Sequence, residues 1–245
     1  MQIRAIKTPI VRLNTEIESI LDVLPELHEN SVVAVTSKII SFCEGRCVAK
    51  SSADKRQLIK QEADEICELK SVDNPYSLCL TITKGILIPT AGIDESNAND
   101  TYVLYPKDPF ASAVRIWNYL KEKNNISNLG IVVTDSKTTM MRRGVTGIAV
   151  SWCGFKPIYS YINKPDLFDR ELQFTCLNVV DALAGAAVFS MGEGDEQTPI
   201  AIITDIPKIE FVSSAPTAED IASVSISKDE DLYGPLLKSV QWEKK

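Results

Sequence analysis

Leu129-Gly-Ile-Val-Val-Thr134 runs directly into Asp135 and Ser136. Six residues without a charge, four of them β-branched, read as a strand buried on both faces. The strand then ends in a carboxylate beside a hydroxyl. Two other acids stand in similar places. Asp94 follows the run Gly85-Ile-Leu-Ile-Pro-Thr-Ala-Gly92 in the stretch AGIDESN, and Glu193 sits in MGEGDE, ahead of Pro199-Ile-Ala-Ile-Ile203. Buried elements deliver side chains accurately to their ends, and loops at those ends commonly carry chemistry. Three carboxylates delivered this way can converge on a hard cation, which takes oxygen ligands and often holds phosphates.

Working outward, Ser31-Val-Val-Ala-Val-Thr36 reads as a second buried strand, leading into a polar turn at Ser37-Lys38. Residues 79–83 and 85–89 read as a hairpin around Lys84-Gly85. Asp108-Pro109 is a helix start, with Asp as N-cap and Pro in the first turn, and Ala113, Ile116, Trp117 and Leu120 form its apolar face. A capping box at Thr15 and Glu18 predicts another helix, ended or bent by Pro25. The pattern predicts further helices over 53–69, 166–191 and 229–240, and strands over 147–151 and 199–204. Gly192 is the stop for the 166–191 helix. Strands and helices at irregular spacing predict a mixed sheet in an α+β (mixed α/β) fold. No repeat or linker divides residues 1–245.

Bulk properties exclude several classes. The chain has 245 residues and a net charge of -7, which argues against a general nucleic-acid binder. No apolar run is long enough to cross a bilayer, and Arg4, Lys7 and Pro9 interrupt any signal-peptide pattern. A cytoplasmic protein is therefore expected. Six scattered cysteines without a C-x-x-C pair read as mostly buried thiols. His28 is the only histidine, which removes His-based triads and His-rich metal sites from consideration.

Each candidate motif has an ordinary reading beside the functional one. Asp94, with Ser96 and Asn97 after it, is either a metal ligand or an Asx-type turn. Asp135 and Ser136 suit a divalent cation beside phosphates. Arg142 and Arg143 suit an anionic substrate, or else form a solvated surface pair. The glycines of MGEGDE allow backbone N–H groups close to a phosphate, or else make a solvated turn. Neither a Walker-type loop nor G-x-G-x-x-G is present.

Taken in order, AGIDESN, LYPKDPFASA, VVTDS, RRGVTGIA, DLFDREL and MGEGDE resemble the coenzyme F-420-0:γ-glutamyl ligase family. The likeness covers nearly the whole chain. It implies two intertwined α/β subdomains with mixed sheets, assembled as a homodimer. It also implies two divalent cations, Mg or Mn, on Asp94, Asp135, Ser136 and Glu193. Nucleotide contacts would come from Pro9, Ile10, Val11, Ser37, Lys38, Asn97 and the turn holding Met191, Gly192, Gly194 and Asp195. Three departures stand out. Phe42 replaces a lysine usual in members acting on the deazaflavin, Ser136 replaces a threonine, and Lys137-Thr138-Thr139 replaces a Gly-Arg turn.

The expected activity is a GTP- or ATP-dependent amide ligation of L-glutamate to a deazaflavin through an acyl phosphate. Asp135, Arg142 and Arg143 are the candidate catalytic residues. A folate-type acceptor is the alternative within this class. Outside it stand a metal-dependent phosphohydrolase and a silent nucleotide-binding protein.

Overall fold

The computed structural model describes residues 1–68 and 78–244. In chain order, the first half holds β1 (Gln2–Ile6), α1 (Ile17–Leu21), β2 (Ser31–Thr36), α2 (Ser37–Cys43), β3 (Cys47–Ala49), α3 (Lys55–Glu62) and β4 (Glu65–Cys67). Next come β5 (Leu80–Thr83), β6 (Ile86–Pro89), β7 (Thr101–Val103), α4 (Pro109–Asn124), β8 (Leu129–Thr138) and β9 (Val145–Cys153). The chain continues through β10 (Ile158–Ser160), β11 (Cys176–Asn178), α5 (Val179–Met191) and β12 (Ile200–Thr204). It closes with α6 (Ala218–Ala222), α7 (Gly234–Lys238) and β13 (Glu243–Lys244).

The main sheet has the order β1-β12-β2-β8-β9 and is mixed: β2 and β8 run parallel, and the other pairs are antiparallel. Strand alternation sends side chains to opposite faces. Val33, Val35, Ile131 and Val133 pack into a core with α1, α2 and α4, while Val32, Ala34 and Val132 pack against α5. Both faces of β2 and β8 are thus covered, which is why these strands carry unbroken apolar runs. The fold is a mixed α+β structure, as the sequence predicts.

A second sheet, β13-β4-β5-β6, has a smaller core of its own. Leu58 and Ile59 of α3 pack there with Ile66, Cys79, Ala91, Ile93 and Leu104. Its β5–β6 hairpin turns at Lys84 and Gly85, both with positive φ, as a tight two-residue turn needs.

Several predicted elements are corrected. Helix α3 stops at Glu62, because the chain then extends and pairs β4 with β5; Leu69, the end of the predicted helix, lies outside the described residues. The capping box does not form. Thr15 Oγ1 closes a turn onto Arg12, and Glu18 makes a two-pronged ion pair with Arg115, 2.8 Å at each contact. Ser37-Lys38 is the first turn of α2 rather than a connecting turn. The tail helix shrinks to α7, preceded by the separate α6.

The largest correction concerns residues 166–178, which are not helical. Asp166 Oδ1 accepts from the backbone N–H groups of Phe168 and Arg170, and Asp169 has a φ of 58°. Leu167, Phe168 and Phe174 face solvent, so a helix here would have no core to cover. Only Val179–Met191 is helical, ending at Gly192 as expected. Of the cysteines, Cys67, Cys79 and Cys153 are buried, Cys43 and Cys47 half-buried and Cys176 exposed, all as free thiols. Among the described residues no helix is long and apolar enough to cross a membrane.

Gly154 shows how tightly α4 is seated. Its φ is +84°, and a Cβ there would lie 2.1 Å from Leu129 O and 2.5 Å from Trp117 Nε1, which itself donates to Leu129 O at 2.7 Å. Overpacking and left-handed strain act together, so Gly154→Ala is expected to cost about 3 kcal/mol. Urea unfolding of the two proteins checks this, and equal midpoints would contradict it.

Candidate active site

Three structural routes bring the acids to one place. Asp135 lies within β8, which continues to Thr138 instead of ending at Asp135 as predicted. A bulge between Val133 and Thr134 interrupts the β8–β9 register just before it. The neighbouring Thr134 is fully buried, and its Oγ1 has no hydrogen-bond partner among the described residues. Glu193 follows the α5 stop at Gly192, where φ is 81°. Asp94 lies in the loop that follows β6, its backbone bridged to Val103 of β7, which pairs with β3 in a separate two-stranded sheet.

All three line one pocket of about 530 Å³, together with Ser136 and Lys38. Pro9, Ile10 and Val11 form part of its wall, as do Phe42 and Asn97. Met191, Gly192, Gly194 and Asp195 supply the opposite loop. Three predicted site residues do not line the pocket. Ser37 is buried in the first turn of α2, where its carbonyl accepts from Ser41 Oγ. Arg142 and Arg143 are exposed on the turn joining β8 to β9 and are not among the residues lining the pocket.

Asp94 forms the Asx-type turn and, with its other oxygen, an ion pair. Oδ1 accepts from the backbone N–H of Glu95 and Ser96 and from Ser96 Oγ, which is an Asx-type turn. Oδ2 makes an ion pair of 2.6 Å with Lys38 Nζ, which also donates to Ser96 Oγ at 2.9 Å. Asn97 Nδ2 donates to Gly194 O at 2.9 Å, tying this loop to the one holding Glu193. Within that second loop Gly194 N donates to Glu196 Oε2, and a Cβ on Gly192 would collide with the Glu196 carboxylate at 2.4 Å. Ser136 Oγ faces Glu193 Oε2 at 3.3 Å.

The electrostatics show a surplus of negative charge. Burial pushes the Asp135 carboxyl up to about 6, with the Asp94 charge adding, although hydrogen bonds from Tyr105 and the Ser136 backbone oppose it. Glu193 is also raised, by partial burial and by the charges of Asp94 and Glu196. Burial would raise Asp94 too, but the Lys38 charge and the hydrogen bonds of Lys38 and Ser96 outweigh it and hold this carboxyl below its ordinary range. Lys38 thus acts on all three acids. Among the described residues lining the pocket, one ammonium faces five carboxylates, those of Asp94, Asp135, Glu193, Asp195 and Glu196, which leaves it short of positive charge. Hard oxygen donors with a charge deficit fit Mg or Mn. The described side chains do not, however, close into a preformed ligand cage.

A family model described as F420-0:γ-glutamyl ligase matches residues 5–205, a span that includes every residue lining the pocket. The chain belongs to this family. Coenzyme F420:L-glutamate ligase of Methanosarcina mazei is 31% identical over 215 residues, covering 80% of this chain and 82% of its own. The protein of the same name from Haloarcula marismortui is 31% identical over 227 residues, covering 84% and 87%. That from Methanosarcina acetivorans is 30% identical over 215 residues, covering 80% and 82%.

Sequence reading of this γ-glutamyl ligase family member missed Tyr105. The residue is buried in the main core, and its hydroxyl donates to Asp135 Oδ2 at 2.5 Å. Its only sequence signal is its place in LYPKDPFASA, where it reads as one more apolar residue.

Burial of Asp135 has a measurable consequence. A carboxyl whose pKa rises from 3.8 to about 6 on folding costs stability as pH climbs through that window. The full cost, on the order of 3 kcal/mol, applies above it. In chelator, Asp135→Asn is therefore expected to match the parent near pH 4 and to melt higher at pH 8. A lower melting temperature at pH 8 would contradict this.

Proposed function

We propose that this protein is a nucleotide-dependent ligase that joins L-glutamate by its amine to a carboxylate on a deazaflavin cofactor precursor. The observation carrying this reading is the convergence of Asp94, Asp135, Ser136 and Glu193 on one pocket in a chain of this family. The relatives' name, coenzyme F420:L-glutamate ligase, supports the choice of glutamate and deazaflavin.

The chemistry follows from the charges. The terminal phosphoryl of GTP or ATP passes to the acceptor carboxylate, giving an acyl phosphate and the nucleoside diphosphate. The amine of glutamate then attacks the acyl carbon, the C–O bond to phosphate breaks, and an amide and inorganic phosphate leave. Phosphoryl transfer needs mostly positioning and charge neutralisation. Two divalent cations, held by Asp94, Asp135, Ser136 and Glu193, would supply that neutralisation when bound. Lys38 offers its ammonium to the phosphates. Pro9, Ile10 and Val11 form a wall for the nucleotide, and Asn97 keeps the two acidic loops in register beside it. Gly192 and Gly194 let backbone approach the phosphates closely. Ser37 contributes by starting α2, which carries Lys38. Arg142 and Arg143, out on the β8–β9 turn, would meet the anionic part of an acceptor that extends beyond the pocket.

Phe42 in the pocket wall, where the resemblance places a lysine, favours a second acceptor class, a folate-type pterin that also ends in a glutamyl carboxylate. A second copy of the chain completes the assembly in our reading. Leu167, Phe168, Phe174 and Phe189 are each more than four-fifths exposed, an unusual display of large apolar side chains.

Mass spectrometry after incubation with Mn, glutamate and GTP or ATP tests the activity. A gain of one glutamyl unit on the deazaflavin is expected, and a gain on folate alone would select the second acceptor. Asp94→Ala should reduce product by about 100-fold or more, the scale of losing one preorganised electrostatic group. Nucleotide consumption that needs neither glutamate nor acceptor would overturn ligation in favour of hydrolysis. Light scattering should return the mass of a dimer; a monomer would contradict the proposed pairing.

A further inference from the structure

Tyr105 occupies a place that nothing in the proposed chemistry uses. Its ring is 3% exposed and packed in the main core, yet its hydroxyl is aimed at Asp135 Oδ2, 2.5 Å away. Its backbone is held as well, since Arg46 Nε donates to Tyr105 O at 2.9 Å, and Arg46 is in turn paired with Glu62. The slot for the ring is made by Gly92. There φ is +69°, and a Cβ would lie 2.3 Å from Tyr105 Cζ, so no larger residue fits without moving the ring. Thr90 and Ala91, just before it, also have positive φ (52° and 57°), which costs energy in residues with a side chain. Hydrogen bonds to β5 and the residue before it hold that turn: Thr90 N donates to the backbone Cys79 O, and Ala91 N donates to the side-chain Thr81 Oγ1. The strained turn leads within two residues of Gly92 to Asp94. One structural unit therefore sets Asp94 and, through the Tyr105 ring, Asp135.

We propose that Tyr105 is a positioning residue for the cation site: its phenol fixes one oxygen of Asp135, and its contact with Gly92 sets Asp135 relative to Asp94. This rests on the reading of Asp135 as a cation ligand. The hydroxyl takes one lone pair of Oδ2 and limits rotation of the carboxylate. Hydrogen-bond partners that orient ligands in this way are commonly worth 10- to 100-fold, roughly, in metal affinity.

Tyr105→Phe tests this directly, because it keeps the ring that fills the slot and removes only the hydroxyl. Mn binding to the full chain, followed by electron paramagnetic resonance, is compared for the parent, Tyr105→Phe, Gly92→Ala and Asp135→Asn. Circular dichroism establishes that each variant is folded. About tenfold weaker Mn binding is expected in Tyr105→Phe with the spectrum of the fold intact. Gly92→Ala should weaken binding too, because it displaces the same ring. Parent-like Mn affinity in Tyr105→Phe, with binding lost in Asp135→Asn, would overturn the positioning role and leave the cation site standing. Parent-like affinity in Asp135→Asn would overturn the cation reading and the Tyr105 proposal with it.

Discussion

A carboxylate held where the buried half of β8 meets its exposed half sets the terms for this site. Asp135 loses much of its hydration there, and burial is the largest influence on its protonation. A charge in such a place is tolerated only with hydrogen bonds or opposite charge around it. Tyr105, the Ser136 backbone and, at longer range, Lys38 offset part of the cost. The nearby charge of Asp94 adds to it. Under the proposed function, divalent cations would offset the charge that these contacts leave.

The architecture explains how three acids from distant parts of the chain reach one pocket. The main sheet supplies Asp135 from its interior, and α5, packed on the opposite face from α4, supplies Glu193 at its end. Close seating of α5 depends on Gly147, where a Cβ would lie 2.3 Å from Ala184 O. The loop after β6, anchored by Ala91 and Ile93 in the smaller core, contributes Asp94. Asn97 and Lys38 then join the parts: Asn97 binds the α5–β12 loop, and Lys38 on α2 binds Asp94. Small residues at the helix–sheet contacts and polar ties between the loops are therefore as necessary to the site as the acids.

Much of this was legible in the sequence where local chemistry decides the structure. The runs at Ser31 and Leu129 read as buried strands because both their faces are covered. Asp108 caps α4 as predicted, accepting from the N–H groups of Phe110 and Ala111. What failed was decided by partners far away in sequence. Residues 63–67 have an acceptable helical pattern but are drawn off to pair with β5. The 166–178 segment has apolar residues at tolerable spacing, yet they face solvent, and Asp166 builds a local turn. At the site, the acids could be found from their positions after apolar runs. Tyr105 could not, because its role exists only through Gly92 and Asp135, 13 and 30 positions away.

The central claim is that the pocket binds nucleotide phosphates only once its surplus negative charge has been met by divalent cations. Isothermal titration with a non-hydrolysable GTP or ATP analogue, in chelator and then with Mn, tests it most directly. Binding should be undetectable in chelator and appear with Mn, because Asp94, Asp135 and Glu193 would otherwise face the phosphates with Lys38 as the one cation among the described lining residues. Equal affinity in chelator and in Mn would contradict it.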